Sequence, residues 1–118
     1  MKPSPRTGTK VLSALLTARS GKQQEFLQTL RSLVEEIRGQ SGCLECAVGQ
    51  DLSRESQFFI FMVWKDLAHL EAHMASEAFR VLLGATSVLT APSGFRFIAA
   101  DSAFSPQGFL GRSRMATS

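Results

Sequence analysis

The chain has 118 residues with no tyrosine and a single tryptophan, yet it carries nine phenylalanines. Its aromatic content is therefore unusually apolar. Charge is sparse as well: 19% of residues are charged and the net charge is +3. Much of that charge sits at the ends, on Lys2, Arg6, Lys10, Arg112 and Arg114. A nucleic-acid binder would cluster basic residues on one folded face, and no such cluster is visible. No apolar stretch reaches the roughly 18 residues that a membrane span requires. Met1 to Lys10 is polar and lacks the apolar centre of a secretory signal, so a cytoplasmic location is expected. Glycine-rich phosphate loops, a Gly-x-Ser-x-Gly elbow and paired catalytic carboxylates are missing too. The two cysteines form one C-x-x-C, Cys43 to Cys46, with no second pair to complete a zinc site. They lie in what reads as a strand, where three residues span about 10 Å. The pair should face opposite sides, too far apart for a disulfide, as two small buried thiols in a reducing compartment.

What is present is a regular succession of apolar patterns. Residues 1–9 read as a flexible leader. Lys10 to Ala18 predicts a strand that is apolar on both faces. Ser20 with Gln23 predicts a capping box, opening a helix that runs to Arg38 with Phe26, Leu30, Leu33 and Ile37 at helical spacing. Gly39 is expected to end it as a C′ residue. A second strand follows from Cys43 to Gln50, then a polar hairpin loop, then the strongest strand, Gln57 to Lys65. Asp66 predicts the cap of a short helix through Met74, and Ser76 that of another to about Leu89, stopped by Pro92. Ser93 to Ala100 reads as the last strand. Residues 102–118 form a tail. The order is that of a split βαβ, a ferredoxin-like α+β domain over residues 10–101 with a four-stranded antiparallel sheet.

The strands also predict association. Phe58, Ile60, Met62 and Trp64 point one way, whereas Phe59, Phe61 and Val63 point the other. Both sets are apolar, and helices can cover only one face of such a sheet. A wet second face would be a large apolar patch, which soluble monomers rarely carry. A second copy is the expected cover, giving a homodimer. Phe104, Phe109 and Leu110 of the tail are an alternative cover.

Several short runs resemble the antibiotic biosynthesis monooxygenase family of small dimeric α/β-barrel proteins, which includes quinol monooxygenases. They are Ser20-Gly21-Lys22 through Phe26, Ser41-Gly42-Cys43, Phe59 to Trp64 with Lys65-Asp66, and Ala72-His73-Met74-Ala75-Ser76 followed by Phe79. The stretch from Trp64 to His73 is the most specific. The resemblance covers about Val11 to Asp101. It implies paired ferredoxin-like sheets and, for several members, oxidation of phenols or hydroquinones by O2 without flavin, haem or metal. Members often carry a Glu two residues before the tryptophan, where this chain has Met62. Haem-degrading members add an Asn on the first strand, and Val11 to Ala18 has none. Other relatives isomerise or degrade phosphorylated autoinducer-type sugars.

Candidate site residues follow. His73, with an ordinary pKa of about 6.5, suits a base near neutral pH. Trp64 offers an aromatic wall and one N–H donor. Phe58, Ile60 and Met62 share its face and, with Phe79 closing from the helix, would line an apolar substrate pocket. His69 shares a helix face with His73. The order His-Leu-Glu-Ala-His is not that of a zinc protease, so His69 is expected to be a solvated first-turn residue and no metal is expected. Arg96 could orient an anion or pair with Glu45 across the sheet. The family resemblance implies a cofactor-independent monooxygenase acting with O2 on a small aromatic or quinol-like substrate. The alternatives are a non-catalytic ligand-binding or stress-associated barrel and a sugar-phosphate isomerase or degrading enzyme.

Overall fold

A computed structural model describes residues 8–101, with side chains described up to residue 90. The leader before residue 8 and the tail 102–118, with its three apolar residues, lie outside the described residues. The elements run β1 (Lys10–Ala18), α1 (Gln23–Arg38), β2 (Cys43–Gln50), β3 (Gln57–Trp64), α2 (Leu67–Met74), α3 (Glu77–Leu89) and β4 (Thr90–Asp101). The strands form one antiparallel sheet in the order β2-β3-β1-β4. This is the expected α+β, ferredoxin-like arrangement.

Strand periodicity decides what is buried. Leu12, Ala14 and Leu16 of β1 and Phe58, Ile60, Met62 and Trp64 of β3 are buried on one face. Phe26, Leu30, Leu33 and Ile37 of α1 meet them, one stripe of a 3.6-residue repeat. The rings of Phe26 and Phe58 meet edge to face at 5.4 Å. Each such large side chain, fully buried, contributes roughly 1.5–3 kcal/mol. On the other face Leu15 is 49% exposed, Phe59 44% and Phe61 38%. Gly49 lies opposite Phe59, where a Cβ would overlap that ring.

The structure departs from the sequence reading at several points. Ser20 does not cap α1: Lys22 is the cap residue, with no side-chain cap bond. Instead Gly21 adopts φ +79° and the Lys22 N–H donates to Arg19 O at 2.9 Å, so a tight turn occupies the segment. Gly39 stays right-handed at φ −82°. The left-handed residue is Gly42, at φ +81°. β4 begins at Thr90, directly after α3. Glu45 and Arg96 belong to the opposite edge strands β2 and β4, so they are not cross-strand neighbours. Finally, β2 bulges between Cys43 and Glu45: Cys43 pairs with Trp64, Glu45 with Val63 and Cys46 with Met62. Paired residues share a sheet face. The extra residue therefore turns both cysteines toward the helix side, not to opposite sides as a regular strand would.

Candidate functional site

The site is assembled where β3 runs into α2. Asp66 leaves the strand in extended conformation, and its Oδ1 accepts the His69 backbone N–H at 2.9 Å, capping α2. The short helix then carries His73 in its last turn back over Trp64 at the strand's end. The two rings stack at 4.5 Å with 24° between their planes. Phe79 of α3 also meets the His73 ring, edge-on at 5.2 Å.

A polar network fixes the His73 ring. Its Nδ1 lies 2.6 Å from Gln40 Oε1. The amide nitrogen of Gln40 donates to Ser76 Oγ at 3.1 Å. Ser76 Oγ donates to the His73 carbonyl and accepts the Phe79 N–H, capping α3. With Gln40 oriented by Ser76, its carbonyl oxygen must accept from Nδ1–H. The lone pair of a neutral His73 is thereby placed on Nε2. Burial pushes the His73 pKa down from 6.5 to about 4, so the ring is neutral near pH 7. Among the described residues, neither His73 Nε2 nor Trp64 Nε1 has a hydrogen-bond partner, and both atoms are buried. One is an acceptor and the other a donor.

Gln40, Ser41, Trp64, His69, Ala72 and His73 line a cavity of about 230 Å³. Two of the sequence candidates, Trp64 and His73, therefore come together on it, and Phe79 supports His73. Phe58, Ile60 and Met62 do not line it; all three are fully buried beneath the helices. Met62 sits where a carboxylate would be enclosed by apolar side chains. His69 is not merely solvated: its Nδ1 contacts Asp66 Oδ1 at 2.7 Å and its ring borders the cavity. These bonds hold the Asp66 carboxyl below the usual carboxylate range. Gln40 and Ser41 read as plain turn residues in the sequence. No local pattern marks them, and the role of Gln40 arises from contact with residues more than 30 positions away.

A larger depression, about 500 Å³, lies along β2 between Arg38 and Cys46. Its polar groups are already engaged: Arg38 Nε donates to Cys46 O at 2.9 Å, and its guanidinium pairs with Glu35 at 3.0 Å. Burial pushes the Cys46 thiol up to about 12 and raises Cys43 as well, so neither supplies a thiolate. Among the described residues no three His, Cys, Asp or Glu side chains converge as a metal site would require.

The chain is an α+β, ferredoxin-like domain with a cavity where β3 meets α2. Residues 11–83 match the family described as antibiotic biosynthesis monooxygenase, and the chain belongs to that family. It is similar to the crystal structure of PA3566 from Pseudomonas aeruginosa, with a TM-score of 0.74 and 25% identity, covering 84% of this chain and 98% of that one. It is 29% identical over 70 residues to YcnE of Bacillus subtilis, provisionally named a monooxygenase, covering 59% of this chain and 74% of that one. The Synechocystis protein sll1783 is 25% identical over 69 residues, 58% of this chain. The chain spans about half the length of that curated relative, the match covering 47% of it. Among the described residues no helix is long and apolar enough to cross a membrane.

Proposed function

We propose that the protein is a monooxygenase that oxidises a small phenol or quinol-like compound with O2, without a bound cofactor, and that it works as a homodimer. The observation that carries this reading is a pair of unpartnered buried polar atoms on two residues that line the cavity. His73 Nε2 can accept the hydrogen bond of a hydroxyl, and Trp64 Nε1–H can donate to a substrate oxygen. A phenol fits that pair, and its ring fits the stacked aromatic wall. The donor gains strength as the oxygen becomes anionic, which favours the phenolate. A phenolate is electron-rich enough to reduce O2. For a phenol with a free para position, the O–H and the para C–H are lost. One oxygen atom becomes the second carbonyl of a quinone and the other leaves as water. The substrate supplies the electrons, so the protein's tasks are orientation, deprotonation and exclusion of water.

The sugar-phosphate reading is less well supported, since no Lys or Arg is among the residues lining this cavity. A non-catalytic binding role would use the same cavity. Oxygen uptake with a panel of quinols and flavonoid-like phenols separates the two: turnover is expected for at least one compound. Thermal stabilisation by these compounds with no oxygen uptake would instead establish the binding role. His73→Ala is expected to lower kcat/KM at least about 100-fold if its hydrogen bond orients the reacting oxygen.

A further inference from the structure

His73 is well placed to accept a hydrogen bond and badly placed to keep a proton. Its Nδ1 partner is the amide of Gln40, which carries no charge to balance an imidazolium. The same cavity is bordered by a second imidazole with the opposite arrangement. His69 lies four residues earlier on α2, on the same helix face. Its Nδ1 faces the Asp66 carboxylate at 2.7 Å, and the same Oδ1 accepts its backbone N–H. The carboxylate is thus anchored by the helix cap before it orients the ring. On the other side the ring packs on Gly42, where a Cβ would overlap its Cγ and Cδ2. Gly42 holds φ +81°, a conformation that keeps the residue glycine. Asp66, Gly42 and the cavity wall together fix the ring and leave the lone pair of neutral His69 on Nε2. The titratable groups around it are Asp66, the adjacent Lys65, and His73 within the cavity.

We propose that the Asp66–His69 pair, not His73, is the proton acceptor of this site. The inference rests on the reading of the cavity as a phenol or quinol site. In this scheme one hydroxyl of an aromatic diol donates to His73 Nε2, which orients the ring, and the second hydroxyl accepts from Trp64 Nε1–H. The O–H bond of that second hydroxyl breaks, its electron pair stays on oxygen, and the proton forms an N–H bond at His69 Nε2. The resulting imidazolium is balanced by the Asp66 carboxylate, 2.7 Å from its Nδ1. The cavity then holds one imidazole for recognition and one for proton transfer.

The test uses 4-nitrocatechol, whose anion is yellow, as a probe of the full-length protein at a pH below the probe's own first pKa. Wild type is expected to bind it with a larger anion fraction than free solution shows. His69→Gln and Asp66→Asn should each reduce the bound anion fraction at least about tenfold while the dissociation constant of the neutral probe changes less than about threefold. His73→Gln should instead weaken binding at least about tenfold. Retained melting temperatures establish that the variants fold. An unchanged anion fraction in folded His69→Gln and Asp66→Asn, or its loss in His73→Gln with binding intact, overturns the proposal. Failure of the probe to bind wild type overturns it together with the phenol-site reading. Ionisation through His69 without oxygen uptake from any quinol would overturn only the oxidation chemistry.

Discussion

At the scale of single residues, the most informative group is His73. It is 2% exposed, stacked on Trp64 and neutral near pH 7. Its pKa of about 4 in the folded chain lies below the unfolded value near 6.5. As pH falls below 6.5 the unfolded chain therefore takes up a proton that the folded chain resists. Stability should be intact above about pH 6.5 and decline progressively toward pH 4, by about 1–3 kcal/mol. Urea denaturation of wild type and His73→Gln at pH 7 and pH 4.5 checks this: the difference between the two pH values should shrink in the variant. The sequence marks His73 and Trp64 because both fall at apolar positions of regular elements. It does not mark Gln40 or the pairing of His69 with Asp66. A glutamine in a turn looks solvated until a helix from elsewhere in the chain is laid over it.

At the scale of elements, the helices are positioned by their caps and by one glycine. Ser76 accepts the Phe79 N–H and also ties Gln40 to the His73 carbonyl. Ser76→Ala should cost about 1–2 kcal/mol of stability, the ordinary loss of a cap. It should also free Gln40 to rotate, a change visible in the NMR signals of the His73 ring. Gly42→Ala should be more damaging, because its added methyl meets the His69 ring and its backbone is left-handed. A loss of about 1–3 kcal/mol is expected, measured by thermal or urea melts. Both helix starts at Asp66 and Ser76 are readable from capping chemistry. The start of α1 is not: Ser20 and Gln23 form a capping-box pattern, but the turn at Gly21 takes precedence. The bulge in β2 is equally hidden, because nothing in Cys43-Leu44-Glu45-Cys46 says where register slips until β3 is paired beside it.

At the scale of the whole molecule, the two sheet faces have unequal fates. The helices cover Leu16, Phe58 and Ile60 completely and leave Leu15, Phe59 and Phe61 partly bare. Such a patch favours a second copy of the chain, face to face. Wild type should sediment as a dimer at micromolar concentration, and Phe61→Lys should shift it toward monomer while its circular dichroism is retained. A monomeric wild type would contradict this assembly. The two-sided apolar character of β1 and β3 is legible in the sequence, because alternation is a property of neighbouring residues alone.

The slipped register of β2 has a consequence for how these molecules avoid one another. β2 is an edge strand, with β3 on one side and no strand on the other among the described residues. A flat edge offers a template on which foreign strands can nucleate fibrils, but an irregular edge interrupts that template. With Leu44 inserted and its side chain exposed, the outer rim of the sheet is a poor seed for cross-β growth. The one-residue insertion that turns both cysteines to the helix side also breaks the regularity of the edge that a stacking strand would need.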